Sequence, residues 1–192
     1  MNLVRLLAFV LVFACMAPTR AAELPGDSVY RLPVALADQD GHTFHLADRA
    51  GKPQLVSMFY TSCQYMCPLI IESLKRTQKA IAQDGQAKPA VLMVSFDAQR
   101  DTPAHLKEVF GQRKLDATTW TLAHTDAASV RQLAAVLDIQ YRALPDGEFN
   151  HTSVVILLDA QGRIAARTDK MDAIDADFVA AAKQAFAPSA SN

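Results

Sequence analysis

The feature that most constrains this chain is the passage over residues 54–82, QLVSMFYTSCQYMCPLIIESLKRTQKAIA. Its first seven residues form a short apolar run that reads as a buried strand. The run ends at two cysteines four positions apart, Cys63 and Cys67. Behind them Leu69, Ile70, Leu74 and Ile81 recur at helical spacing, which predicts a helix over 67–82 with those four on its apolar face. Pro68 suits the first turn, where its missing N–H costs nothing. Residues four apart lie on one side of a helix, so the two sulfurs can meet over its N-terminus at disulfide distance. Unpaired N–H groups and the helix dipole there favour thiolate, so at least one of the pair should titrate below about 8.5.

A disulfide closing so small a loop adds little stability, because the entropic effect of a cross-link grows with loop length. The pair is therefore read as reactive or metal-binding. Thioredoxin-type motifs have two residues between the cysteines. Here there are three, Gln64, Tyr65 and Met66, which leaves room for an ion between the sulfurs. A thiolate serves both chemistries, as the nucleophile of disulfide exchange and as a soft ligand for copper(I). Met66 is expected to face the core, with its thioether as a weak extra ligand in the other reading.

The remaining segments build a layered fold around this unit. A β-hairpin is predicted over 29–48, turning at Asp40-Gly41. A second buried strand covers 90–96, and a helix opens at Pro103 with Thr102 as its cap. A further helix spans 127–139, a hairpin pairs 153–159 with 163–168, and a closing helix covers 172–186. Residues 22–28 read as an unstructured lead and 187–192 as a frayed tail. Strands alternating with helices, closed by a hairpin and a helix, imply an α/β, thioredoxin-like fold: a central mixed sheet, helices on both faces and an N-terminal β-hairpin.

At 192 residues this is one domain over 22–192, with 51% hydrophobic and 20% charged residues. A net charge of −1 without a basic run excludes nucleic acid as a partner. Residues 1–21 read as a secretory signal: Arg5, an apolar run from Leu6 to about Met16, Pro18, then small residues at a cleavage site near Ala21. A lipoprotein signal ending at Cys15 is the other reading, and only then would the protein contact a membrane. Both deliver the domain outside the cytoplasm, where disulfides persist.

His151 opens the apolar segment 153–158, at the end of a loop carrying Pro145, Asp146 and Gly147. Its place beside that strand would bring it to the cysteines, giving a two-sulfur, one-nitrogen set suited to copper(I) and, with another ligand, copper(II). The remaining histidines, His42, His45, His105 and His124, read as solvated.

The motif TSCQYMCP, the segment VSFDAQRDTP (94–103) and NHTSVVILLDAQGR (150–163) together resemble the SCO/SenC family, over roughly 24–186. That resemblance implies a thioredoxin-fold protein that assists assembly of the copper A centre of cytochrome c oxidase. It also implies Cys63, Cys67 and His151 as copper ligands. Asp97, Arg100, Asp101 and Pro103 match a family segment, read physically as an ordered, capped loop. Asn150 stands where many members have Asp, and no acidic residue lies between the cysteines, so the site should be less negative than is usual. The implied function is a periplasmic copper metallochaperone. Its partners would be a copper-receiving protein such as cytochrome c oxidase subunit II, and a periplasmic copper donor or thiol reductant. The alternative is a thiol–disulfide oxidoreductase acting through Cys63 and Cys67, with Cys63 attacking. A peroxidase would need a threonine and an arginine priming one cysteine, which Thr61 and Arg100 imitate only loosely.

Overall fold

A computed structural model describes residues 23–83 and 88–187; the signal and the tail expected at the two ends lie outside these, apart from Ala187. The N-terminal hairpin forms as β1 (Ala35–Asp38) and β2 (Thr43–His45), shorter than expected, with Gly41 at φ +83° in its turn. Residues 29–31, expected in the hairpin, form a 3-10 turn instead. The strand before the cysteines is β3 (Gln54–Phe59), and all six of its residues are buried. It lies parallel to β4 (Ala90–Ser95) and antiparallel to β8 (Val155–Leu158). Its side chains are buried on both faces of the sheet, which explains why β3 reads as a continuous apolar run rather than an alternating one.

Two elements have no counterpart in the sequence reading. One is β5 (Trp120–His124), parallel to β4 and joined to β1. The other is a separate ribbon of β6 (Tyr141–Ala143) and β7 (Phe149–His151). With β9 (Ile164–Thr168), the main sheet has seven strands in the order β2-β1-β5-β4-β3-β8-β9. This is the expected thioredoxin-like mixed sheet, with four helices packed on it.

The helices follow the predicted order with corrected ends. α1 (Met66–Ala82) starts one residue early. It buries Ile70, Ile71, Leu74 and Ile81, while Leu69 is 45% exposed. Its inward face thus runs through Ile71 rather than Leu69. Met66, expected inside, is 38% exposed because it opens the first turn away from the sheet. α2 (Pro103–Gln112) is capped by Thr102, whose hydroxyl accepts the His105 N–H. α3 (Ala127–Val136) ends short of 139, and α4 (Ala176–Phe186) starts four residues late. In each of α3 and α4 an aspartate sets the start: Asp126 and Asp175 accept two backbone N–H groups apiece. α1 and α2 lie on one face, where Lys75 of α1 donates to the carbonyl of Arg113 at the end of α2, and α4 packs against α1. Among the described residues no helix is long and apolar enough to cross a membrane.

Candidate metal centre

Strand β3 hands the chain through Tyr60 and Thr61 to Cys63, just outside the start of α1. Tyr65, the N-cap, contributes no side-chain bond there. The Cys63 sulfur takes over that role and accepts the Cys67 N–H at 3.2 Å. No acidic residue occupies the first turn of α1, so the sulfur is the anion that the helix end receives.

The two cysteines are free thiols in unlike settings: Cys63 is half-buried and Cys67 is buried. A hydrogen bond from the Cys67 thiol holds Cys63 well below the ordinary thiol range. His151 and the backbone N–H groups of Cys67 and Tyr65 act the same way, and partial burial opposes them. Cys67 is pushed up by that same bond, by burial and by the neighbouring Cys63 charge. The resting pair is thus a Cys63 thiolate accepting from a Cys67 thiol. The expected depressed thiol is present, and it is the one nearer the loop.

His151 ends β7, on a strand rather than in the expected loop. Side chains alternate along a strand, so Phe149 and His151 share one side of the ribbon and Asn150 takes the other. The His151 Nδ1 lies 3.1 Å from the Thr152 carbonyl, an acceptor, which leaves Nε2 as the ring nitrogen available to a ligand. Ligand atoms of Cys63, Cys67 and His151 all lie within 4.8 Å of one another. That span is about twice a metal–sulfur or metal–nitrogen bond of roughly 2.0–2.3 Å. Two sulfurs and an imidazole around so small a space fit a soft or borderline ion, copper(I) among them.

Two aromatic rings meet the histidine, and two more back them. Tyr60 stands edge-on to it at 5.9 Å, and Phe96 lies tilted against it at 5.0 Å. Phe149 meets Tyr60 at 5.1 Å, and Tyr141 stacks on Phe96 at 5.0 Å. These residues come from four separate segments, and no sequence pattern groups them.

The DAQRDTP segment has a larger part than capping. Asp101 is 2% exposed, and its carboxylate accepts the Thr61 N–H at 2.9 Å together with the Thr61 and Ser95 hydroxyls. It therefore pins the cysteine loop to the end of β4. Arg100 pairs with Asp97 and donates to the Gly147 carbonyl in the β6–β7 turn. Gly147 has φ +84°, which favours glycine, and a Cβ there would crowd the Arg100 guanidinium at 3.1 Å. Thr61 and Arg100, the pair a peroxidase would use, are committed to these bonds. Of the histidines expected to be solvated, His105 meets the Arg100 carbonyl through Nδ1 at 2.6 Å, and His42 lies 3.3 Å from Asp38. A cavity of about 550 Å³ lined by Lys75, Lys79, Lys88 and Lys114 lies at the far end of α1, away from these groups.

The SCO1/SenC family model matches residues 24–186. The chain belongs to the SCO1/SenC family. A protein from Stutzerimonas stutzeri described as a "putative copper-binding protein" is 25% identical over 118 residues, covering 56% of this chain and 58% of the relative. This SCO1/SenC chain thus spans less than two thirds of that relative's length. ScoI from Bradyrhizobium japonicum with copper bound superposes with a TM-score of 0.66 at 24% identity, over 80% of this chain and 97% of that one. BsSco, described with a disulfide switch and as a member of the Sco family of cytochrome c oxidase assembly proteins, gives a TM-score of 0.68 at 19% identity. Its match covers 80% of this chain and 90% of that one. At such identities the two structures show a shared fold.

Proposed function

We propose that this SCO1/SenC protein is a copper metallochaperone that takes the ion between Cys63, Cys67 and His151. The observation that carries the reading is the approach of those three ligand atoms to within 4.8 Å of one another. Copper is favoured over other soft ions because the matched Stutzerimonas protein is described as copper-binding and the Bradyrhizobium fold relative holds copper. The copper is cargo. Thiolates bind copper(I), and the imidazole raises affinity for copper(II). Transfer proceeds by ligand exchange, with the half-buried Cys63 the sulfur that a recipient's thiolates reach first. The recipient is a protein building a copper site, such as cytochrome c oxidase subunit II. The chain acts in the periplasm, exported by the signal over 1–21, or held at the membrane through Cys15.

A copper titration with absorption spectroscopy tests this on reduced wild type and His151→Ala. Wild type should show a sulfur-to-copper(II) charge-transfer band that His151→Ala loses, while both bind copper(I). Reduced protein that takes up no copper under anaerobic conditions overturns the proposal.

One observation favours a second reading, thiol–disulfide exchange on a partner. A half-buried thiolate backed by a buried thiol is the arrangement for attack by Cys63 and resolution by Cys67. A Cys67→Ser variant should then trap a mixed disulfide with its partner; no trapped species with either single-cysteine variant counts against it.

A further inference from the structure

The β6–β7 ribbon that carries His151 belongs to no larger sheet. Each of its strands has three residues, and a two-stranded hairpin of that size is not stable alone. What holds the histidine at the sulfurs must therefore be tethers from the ribbon to the body. Arg100 supplies one, at the turn. Phe96 packs on Tyr141 and His151 of the ribbon, and a further tether leads directly to the cysteine loop. The Tyr60 hydroxyl donates to the Glu148 carboxylate at 2.7 Å, joining the residue that follows β3 to the residue that precedes β7. Tyr60 is 4% exposed, its ring packs on Phe149, and its phenol is also a neighbour of Cys63.

We propose that Tyr60 and Glu148 are positioning residues, a latch that keeps the β6–β7 ribbon closed on the cysteine pair so that His151 can complete the set. The latch rests on the metal reading above for its purpose, but its action on the ribbon does not depend on metal. An ion bound by the two sulfurs alone does not feel it. An ion that needs the nitrogen does.

Two measurements decide the matter on Tyr60→Phe, Glu148→Ala, Glu148→Gln and the Tyr60→Phe/Glu148→Ala pair. Tyr60→Phe keeps the ring and its packing, so the fold is retained. In reduced, metal-free protein, hydrogen exchange at the Leu144 and Thr152 amides, which donate to the Glu148 and Gln140 carbonyls, should quicken about tenfold in Tyr60→Phe and Glu148→Ala, with β3 and α1 unchanged. Copper(II) affinity and the His151-dependent band should fall about tenfold, the low end for losing an outer partner of a ligand. Copper(I) affinity should change less than about twofold. Glu148→Gln keeps an acceptor and should retain most of the affinity. The double variant should be no worse than either single one, because both changes cut the same bond. Unchanged ribbon exchange together with unchanged copper(II) affinity overturns the latch. Equal losses for both copper states, with quicker exchange throughout, also overturn it by showing a general loss of stability. A wild type that binds no copper sinks the metal reading instead, and the latch is then decided by exchange alone.

Discussion

The two halves of the candidate centre are built in opposite ways. The cysteines stand on continuous structure, a fully buried strand running into a helix of 17 residues whose inner face is locked in the core. The histidine stands on a short ribbon outside the main sheet, placed by one hydrogen bond at Tyr60, one arginine and a cluster of rings. Sulfur chemistry is thus fixed at the cost of unfolding the domain, whereas the nitrogen ligand is held by a few local contacts that can open without it. On the proposed function, the rigid side would retain the ion and the looser side would adjust to its charge state.

The contrast is easiest to break from the rigid side. Ile70 is fully buried beneath the cysteine turn, so Ile70→Ala should cost about 2–5 kcal/mol of stability, read as a lowered denaturation midpoint. An unchanged midpoint would mean that the helix is not anchored as described.

Within the rigid half, the asymmetry of the sulfurs has a sign in pH. A depressed pKa means that Cys63 stays thiolate as pH falls below the ordinary value of about 8.5, while the raised Cys67 stays protonated as pH rises past it. Alkylation followed by peptide mapping should find Cys63 modified at a nearly constant rate from about pH 8 to 6. An unperturbed thiol slows about tenfold per unit there. Cys67 should be modified at least about a hundredfold more slowly at the lower pH. Equal rates at the two cysteines would contradict the assignment.

The smallest effect on stability is expected on the ribbon. Gly147→Ala strains a φ of +84° and crowds Arg100, for about 1 kcal/mol or slightly more. Its signature is selectivity: copper(II) binding should weaken while copper(I) binding holds, as paired titrations would show. Loss of both in equal measure would erase the distinction between the halves.

Much of the rigid half is legible in the residues. The apolar run over 54–60, the paired cysteines, Pro68 and the spacing of Ile70, Leu74 and Ile81 are local signals, each with a local cause. Capping at Thr102 is equally local and forms as expected. Leu69 and Met66 are misplaced in a sequence reading, since helical spacing gives a stripe but not its rotation about the axis. β5 is hidden between two helices because its burial depends on partners β1 and β4.

The sequence alone determines that two thiols meet at a helix start and that one of them should be a thiolate, because neighbours four residues apart and a helix end need nothing more. It also carries the family resemblance that names His151. Only tertiary structure decides that His151 reaches the sulfurs, that Tyr60 and Glu148 bridge the two halves, and that Asp101 serves the cysteine loop. Those contacts join segments distant along the chain, and their geometry exists only once the sheet has brought the segments together.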